Sequence, residues 1–338
     1  MKQILGGLLI AGAFLFACQG KEPQPSVVIY TSVDQVYSEP VLKQFEEKTG
    51  IRVLAVYDVE AAKTTGLVHR LIAEKDRPQA DVFWNGEFAQ TLMLKERGVL
   101  ASYRSQASAD LPAQYVDPEG YWTGIAGRAR VLLINKNFVS PGDCPKTLDD
   151  LTAGKWLADK IGIASPMFGT SATHAAALYA AWGPERARVF FEQIKAQGVR
   201  VVDGNSVVRD LVANGQLHLG LTDTDDACGA LKNGAPVALV FLDQGDKGLG
   251  TLFIPGTAAL IANGPHPREG RILLDFLLSR EVEEKLVVSG WSQIPLRPVN
   301  IASECGLSAG IKGMDINLSA IVQQLGPARR DLTEIFIR

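Results

Sequence analysis

Hydrophobic positions along the chain follow two alternating spacings. Short runs rich in β-branched residues, such as 27–31 and 51–57, are each followed by a stretch with apolar residues three or four positions apart. The first spacing predicts buried strands and the second predicts amphipathic helices. Strands that alternate with helices of this kind are typical of βαβ units, so we expect an α/β protein with a mainly parallel sheet.

The pattern continues along most of the chain. Strands are predicted at 27–31, 51–57, 80–84, 130–134, 161–164, 199–202, 218–222, 237–240, 251–254 and 257–261. Helices are predicted at 39–48, 62–74, 88–97, 172–182, 184–197, 206–213, 267–278, 281–288 and from about 318 towards the end. Because about 320 residues exceed the size at which one core keeps growing, we expect two lobes.

The N-terminus departs from this pattern. A basic Lys2, an apolar run over 4–17 and Cys18 predict a lipoprotein signal peptide over 1–17, with cleavage before Cys18 and lipid attachment to it. Ordinary secretion with a coincidental cysteine is the alternative. Residues 18–25 are polar and contain proline, which favours a tether. No later run reaches the ~20 apolar residues that span a bilayer. We therefore expect an extracytoplasmic protein attached to a membrane by lipid.

Charge and cysteine content exclude some classes of function. The 34 Lys plus Arg against 37 Asp plus Glu give a net charge of −3. The sequence therefore lacks the excess of basic residues that is typical of nucleic-acid-binding proteins. Cys144, Cys228 and Cys305 would remain in an oxidising compartment, where at most one disulfide forms and one thiol is left over. Their spacing matches no zinc motif, and a small buried side chain is the simpler interpretation of Cys228.

Candidate chemistry lies where strands end. In open α/β sheets, ligands bind outside the carboxyl ends of the strands, beside helix N-termini. Short polar segments follow several predicted strands, and two arginines share one face of another strand. The candidate ligand-binding residues are Thr31, Ser32, Asp34, Asn85, Glu87, Arg128, Arg130, Gly169, Thr170, Ser171, Asn205, Ser206, Asp223, Asp225 and Asp226. Each Ser, Thr, Asn or Asp taken alone is also an ordinary helix cap, but five such turns together predict a polar cleft.

The order of these segments resembles a known family. The signal peptide, "VVIYTSVDQVYSEPVLKQFEEKTGIRV", "ADVFWNGEFAQTLMLKERGVL", "YWTGIAGRARVLLIN", "KWLADKIGIASP", "GNSVVRDLVANGQLHLGLTDTDDA" and "SGWSQIPLRP" resemble bacterial ABC-transporter extracellular solute-binding proteins of family 1, in the ferric-iron-binding branch. The resemblance covers roughly residues 26–300. It implies a two-lobed periplasmic-binding-protein-like fold of type II, with a central ligand cleft and two hinge strands.

The resemblance also implies a domain organisation and partners. The hinge would lie near 121–130 and 249–258, with a first lobe of 26–122 plus 255–298, a second lobe of 123–254, and a helical tail over 299–338 that packs on the lobes. The protein would be a monomer that delivers its ligand to a membrane permease with a cytoplasmic ATPase.

The ligand is where this chain departs from the family pattern. Resembling ferric-binding proteins hold iron with two adjacent tyrosines, often with a His and a Glu, and place phosphate or carbonate at a helix N-terminus. The anion-side positions match at Gly169–Ser171, Asn205 and Ser206. The tyrosine pair is replaced by Asp225 and Asp226, the His position falls on Asp34, and Glu87 is one residue out of register.

Two ligand hypotheses and one other class of function follow. The first ligand is a hard cation, with Fe³⁺ as the family default, held by Asp34, Glu87, Asp225 and Asp226 together with an anion. The second is a metal-free oxyanion, phosphonate or polar organic solute. An enzyme is the alternative class, but the sequence contains no nucleophile elbow, P-loop or metal-hydrolase His spacing.

Overall fold

The computed structural model describes residues 24–58, 65–301, 305 and 310–338. The predicted signal peptide, Cys18 and most of the tether lie outside the described residues, as do the first residues of the helix predicted at 62–74. Within the described part of the chain, no helix is long and apolar enough to cross a membrane.

The predicted alternation of strands and helices is observed. The strands are β1 Ser26–Thr31, β2 Arg52–Tyr57, β3 Val82–Asn85, β4 Leu100–Ala101, β5 Thr123–Asn135, β6 Ile161–Ala164, β7 Arg200–Val202, β8 Leu219–Asp223, β9 Val237–Val240 and β10 Phe253–Ile261. The α-helices are α1 Gln35–Thr49, α2 Thr65–Ala73, α3 Ala89–Glu96, α4 Gly169–Trp182, α5 Pro184–Gln197, α6 Asn205–Ala213, α7 Thr224–Lys232, α8 Pro267–Leu277, α9 Arg280–Ser289 and α10 Leu318–Phe336. Short 3₁₀ turns occur in the connections between residues 106 and 160.

The strands form two sheet regions that share one long strand. The strand order is β2-β1-β3-β10-β5-β8-β6-β7, with β4 beside β10 and β9 beside β5. The first half of β5 pairs with β10, whereas its second half, from Arg130, pairs with β8 and β9. Because one continuous thirteen-residue strand belongs to both regions, β5 physically connects the two halves of the α/β fold.

Three details differ from the sequence-based expectation. The sheet is mixed rather than mainly parallel, because β5 and β10 run antiparallel to their neighbours. The segments predicted as two strands at 251–254 and 257–261 form the single strand β10, with a register irregularity between Pro255 and Gly256. The helix α7 was predicted only as a possible helix start at Asp225 and Asp226.

Close contact between helices and strands needs glycine at two positions. A Cβ atom on Gly220 of β8 would lie 2.3 Å from Val208 Cγ1 of α6, and one on Gly162 of β6 would lie 2.4 Å from Leu217 Cδ1. Real side chains do not approach so closely, so these glycines let α6 and its following turn pack directly on the sheet. That contact holds the beginning of α6 next to the end of β8.

The C-terminal helix α10 packs across the molecule. It contacts α4 and α5 and also α3. Its buried residues Ile321 and Val322 join a hydrophobic cluster with residues of α2 and α3, while Leu332 and Ile335 join one with α5. The tail predicted to pack on the lobes is therefore a helix that bridges two hydrophobic cores.

Candidate functional site

The ends of β1, β3, β6 and β8 surround a cavity of about 280 Å³. Of the sequence-predicted site residues, the cavity is lined by Ser32, Asp34, Glu87, Arg128, Gly169, Thr170, Ser171, Asn205, Ser206, Asp223, Asp225 and Asp226. The structure thus gathers residues that are separated by nearly two hundred positions, as expected for loops at the carboxyl ends of strands.

Three predicted residues lie behind the wall rather than on it. Asn85 accepts a hydrogen bond from the Ser32 hydroxyl at 2.6 Å, and Thr31 accepts one from the Val33 amide at 3.1 Å. Arg130 points at Asp223. Asn85 and Arg130 thus bond to the lining residues Ser32 and Asp223, Thr31 bonds to the neighbouring Val33, and none of the three lines the cavity.

Asp223 is the central acceptor of the cavity wall that β8 and the starts of α4 and α6 form. One carboxylate oxygen accepts from Arg130 Nη1 at 2.7 Å, and the other accepts from the Thr170 hydroxyl at 2.6 Å and Asn205 Nδ2 at 3.0 Å. Burial alone would raise the pKa of Asp223, but the guanidiniums of Arg130 and Arg128 and the Thr170 hydroxyl outweigh it and lower that pKa. Asp223 therefore remains ionised and ties the starts of α4 and α6 together.

Asp225 is bound by the protein through only one of its oxygens. Its Oδ2 accepts from Arg128 Nη1 at 2.8 Å, and Arg128 also donates to the Gly86 carbonyl at 2.7 Å. The other oxygen, Oδ1, is buried, and none of the residues that the structure describes donates a hydrogen bond to it. Burial, opposed by Arg128 and reinforced by the charge of Asp223, raises the pKa of Asp225. Within the described part of the chain, Asp225 Oδ1 is therefore a buried polar atom whose hydrogen-bonding capacity is not satisfied.

Asp226 completes a compact acidic cluster. One ligand oxygen from each of Asp223, Asp225 and Asp226 lies within 4.8 Å of the others. Asp226 is paired with Arg209 Nη1 of α6 at 3.2 Å. The helix-start and cluster interpretations are both correct in geometry, because Asp225 and Asp226 occupy the first turn of α7 and face the cavity.

Glu87, another predicted metal ligand, lines the cavity but is not one of the three carboxylates of this cluster. Its carboxylate accepts hydrogen bonds from the amides of Ala89 at 2.6 Å and Gln90 at 2.9 Å, and from the Thr173 hydroxyl at 2.9 Å. Burial raises the pKa of Glu87 against these donors. The side chain therefore caps the start of α3 and links it to α4, which explains its burial without a metal.

Sequence reasoning missed several residues of the cavity wall. Asp34 lines the cavity as predicted, but Val36 and Tyr37, in the first turn of α1, line it as well, and so do Phe168 and Arg209. Burial, followed by the charges of Asp225, Asp34 and Asp226, raises the pKa of Tyr37. The available signal was proximity in sequence, since Tyr37 lies three residues after Asp34, one helical turn away.

Two helices begin at the cavity and direct backbone amides towards it. The first turn of α4 contains Gly169, Thr170 and Ser171, and that of α6 contains Asn205 and Ser206. Gly169 has a φ of 52°, a conformation that favours glycine. The backbone amides of the two first turns and the positive ends of two helix dipoles make this corner suitable for an anion.

The helix α7 is covalently connected to the C-terminal segment. Cys228 and Cys305 form a disulfide, and Cys144 is a free, half-buried thiol. This agrees with the expectation of one disulfide and one leftover thiol. Cys228 lies three residues after Asp225, so the link is one helical turn from the acidic cluster.

Comparison with known proteins identifies the family. The profile described as bacterial extracellular solute-binding protein matches residues 26–292. Iron uptake protein A1 of Synechocystis sp. is 23% identical over 96% of this chain and 94% of its own length. Two solved structures share the fold with a TM-score of 0.80. Iron-bound HitA from Pseudomonas aeruginosa is 24% identical over 91% of this chain and 99% of its own. AfuA from Actinobacillus pleuropneumoniae with fructose-6-phosphate is 21% identical over 92% and 98%.

The profile match covers most of the chain, and the matching structures have the two-lobed fold expected from the sequence. The chain therefore belongs to the bacterial extracellular solute-binding proteins, in the part of the family that is similar to ferric-binding proteins.

Proposed function

We propose that this protein is the lipid-anchored receptor of an ABC importer, and that it captures Fe³⁺ together with a small anion in the cleft. It would then deliver both to a permease driven by a cytoplasmic ATPase. Family membership supports the role of a receptor. Relatives named as iron uptake and Fe(3+)-binding periplasmic proteins support Fe³⁺ as the bound ligand. The N-terminal sequence supports the lipid anchor.

The observation that supports a metal is Asp225 Oδ1, a buried oxygen of the acidic cluster that accepts no hydrogen bond from any described residue. An unsatisfied buried carboxylate oxygen costs free energy in the empty protein, and a cation that binds there removes this cost. Carboxylate and phenol oxygens suit a hard cation such as Fe³⁺. Asp225, Asp226 and, from the other side, Asp34 and Tyr37 would provide these oxygens.

The arginines beside the cluster are compatible with this role. Arg128 holds Asp225 through Oδ2, which leaves Oδ1 for a metal, and Arg209 holds Asp226. Carboxylates that bind metals are commonly hydrogen-bonded through their second oxygen by an outer shell of donors. Arg128 and Arg209 would therefore orient two ligands rather than compete with the metal.

The anion would lie at the N-termini of α4 and α6. The hydroxyl of Thr170 and the side-chain amide of Asn205 already donate hydrogen bonds to Asp223. The remaining donors are the backbone amides of both first turns and the Ser171 hydroxyl, which makes only a long 3.4 Å contact with Asn205. Phosphate or carbonate at this corner would lie beside the cluster and balance the charge of the cation.

The lobe organisation belongs to the same proposal. The first lobe would comprise 26–122 plus 255–298 and the second 123–254, with β5 and β10 crossing between them as hinge strands. The 299–338 tail would brace both lobes. Closure around these strands would bring Asp34 and Tyr37 of α1 and its preceding loop onto a ligand held by α7.

A second candidate is a metal-free solute that has both an anionic and a cationic group. The pairing of Arg128, Arg130 and Arg209 with the three aspartates favours it, because guanidiniums already provide the cations that a carboxylate cluster requires. In that case a ligand ammonium would meet Asp225 Oδ1, while a phosphate or phosphonate would lie at the helix N-termini.

Elemental analysis and native mass spectrometry of protein purified without chelator distinguish the two candidates. We expect one iron per chain, and a thermal shift when Fe³⁺ plus phosphate or carbonate is added to stripped protein. The double change Asp225→Ala with Asp226→Ala should abolish this shift. Asp210→Ala is the matched control, because it also removes a partner of Arg209 but lies outside the cavity wall.

Ser171→Ala tests the anion separately. It should weaken the dependence of iron binding on phosphate without removing the acidic ligands. Absence of metal and of any thermal shift with Fe³⁺ would reject the iron proposal in favour of the metal-free solute.

A further inference from the structure

A second cavity, of about 380 Å³, lies beside α10 and has no lining residue in common with the cavity that contains the acidic cluster. Its walls come from α2, α3, the turn between β6 and α4, the first turn of α4, and α10. Cavities of roughly 300–1,000 Å³ are the ones that bind small organic molecules in proteins. The proposed iron and anion subsites leave this second cavity without a role.

The wall of the second cavity is largely apolar. Ile72, Met93 and Leu325 pack against the hydrophobic cluster of α2 and α3, whereas Met167 packs against the cluster that contains Leu332. Except for Leu332, these side chains are only partly buried. Methionine adapts its shape to different neighbours, and partly buried apolar side chains that meet at a cavity gain free energy when a ligand covers them. A ligand of this cavity would therefore have an apolar body.

The same cavity has a cationic rim. Arg97 and Arg329 line it and are exposed, and His69 adds an imidazole that can donate a hydrogen bond. Among the lining residues that the structure describes there is no Asp or Glu, and no described residue forms an ion pair with either arginine. Elsewhere on the surface, Arg186 and Arg280 each pair with a carboxylate. The charge of the second cavity is therefore complementary to an anion.

We propose that the second cavity binds a small amphipathic organic anion, such as a medium-chain fatty acid. Its carboxylate would lie at the arginines and its hydrocarbon chain against the methionines. Guanidiniums recognise carboxylates through paired N–H donors, whereas an ammonium group would be repelled there. The proposal does not depend on the proposed function, because no residue that lines this cavity also lines the one with the acidic cluster.

Isothermal titration of the protein with octanoate, octylamine and acetate tests this inference. Octanoate and octylamine have similar chains and opposite charges at neutral pH, and acetate has the carboxylate without the chain. We expect octanoate to bind with a Kd below about 1 mM. Both other compounds should bind at least about tenfold more weakly, because octylamine meets like charges and acetate buries little apolar surface.

The double change Arg97→Glu with Arg329→Glu locates the site. It should weaken octanoate binding about tenfold, since the reversal of two exposed charges replaces attraction with repulsion. Arg330→Glu is the matched control, because Arg330 is the next residue of α10 and is exposed but does not line the second cavity. All of these changes affect exposed residues, so each variant should keep the Tm of the wild type within about 2 °C.

Several results would overturn the proposal. They are the absence of measurable octanoate binding, octylamine or acetate that binds as tightly as octanoate, and a double variant that binds octanoate no more weakly than Arg330→Glu does. If the double variant does not fold, the single changes Arg97→Glu and Arg329→Glu and the comparison of the three compounds on the wild type still decide the question.

Discussion

Asp223 and Asp225 offer a direct test of how the cleft handles charge. The two residues are both buried and both near Arg128, yet the pKa of Asp223 is lowered and that of Asp225 is raised. Asp223→Asn and Asp225→Asn each remove one negative charge with almost no change of shape. We expect opposite consequences for the stability of the ligand-free protein.

For Asp223 the charge is stabilising. Because its folded-state pKa is lowered, ionised Asp223 stabilises the fold above the unfolded pKa of about 3.9, and this contribution is lost as the pH falls through the folded value. The amide variant leaves the buried Arg130 guanidinium without its anion. Breaking a buried pair costs about 3–5 kcal/mol. At roughly 2 °C per kcal/mol for a protein of this size, Tm at pH 7 should fall by about 6–10 °C.

For Asp225 two effects oppose each other. Its raised pKa means that ionisation is disfavoured in the folded state, so neutralisation removes a cost at pH 7. The lost charge-assisted hydrogen bond to Arg128 costs about 1.5–3 kcal/mol. Arg128 keeps the Gly86 carbonyl and its 3.5 Å contact with Asp223. We expect a net change within about 1 kcal/mol, together with at least a hundredfold loss of Fe³⁺ affinity.

The assay is thermal denaturation by circular dichroism in chelator-containing buffer at pH 7 and near pH 3, followed by iron titration. The difference in Tm between Asp223→Asn and the wild type should shrink near pH 3, because below the unfolded pKa of about 3.9 the unfolded wild-type chain binds a proton at Asp223 before the folded protein does. Equal Tm losses for the two variants at pH 7, or a larger loss for Asp225→Asn, would refute this account of the two carboxylates.

Two further predictions concern the same wall of the cleft. Replacing both Cys228 and Cys305 by Ser removes a link between residues 77 positions apart, and should lower the free energy of unfolding by up to about 4 kcal/mol in denaturant titrations. Cys144→Ser is the control and should leave the free energy of unfolding unchanged. Tyr37→Phe should weaken Fe³⁺ binding about tenfold and remove visible absorption from a phenolate–iron contact. Unchanged absorption would show that Tyr37 does not bind the metal.

The local pattern of hydrophobic and polar residues was sufficient to predict most of the strands and helices. The strands at Ile161–Ala164 and Val237–Val240 have the predicted bounds, because short β-branched runs between turns leave little choice of structure. β5 and β10 are exceptions. β5 spans Thr123–Asn135, although only 130–134 was predicted as a strand, and Pro255 and Gly256 divide β10 in the sequence. Pairing with β5 holds the strand together across the irregularity. Such pairing between distant segments has no local signal, and it also explains why the sheet is mixed rather than mainly parallel.

The location of the site was predictable for a related reason. The carboxyl ends of strands converge in any open α/β fold, so polar residues after strands identify the cleft before its contacts are known. The role of each side chain was not predictable. Glu87 looks like a ligand in the sequence, but amides of its own helix start and Thr173, 86 residues away, occupy it. Only tertiary contacts distinguish a cap from a ligand.

Helix geometry explains why the adjacent pair Asp225 and Asp226 does not act as one unit. Successive residues on a helix point about 100° apart, so Asp225 turns inward to Arg128 while Asp226 meets Arg209 at the half-buried edge. The same rotation brings position 228 nearly beneath position 225, so the disulfide of Cys228 holds the face of α7 that contains Asp225. The two adjacent carboxylates are therefore oriented by different arginines, Asp225 by Arg128 in the interior and Asp226 by Arg209 at the edge of the cavity.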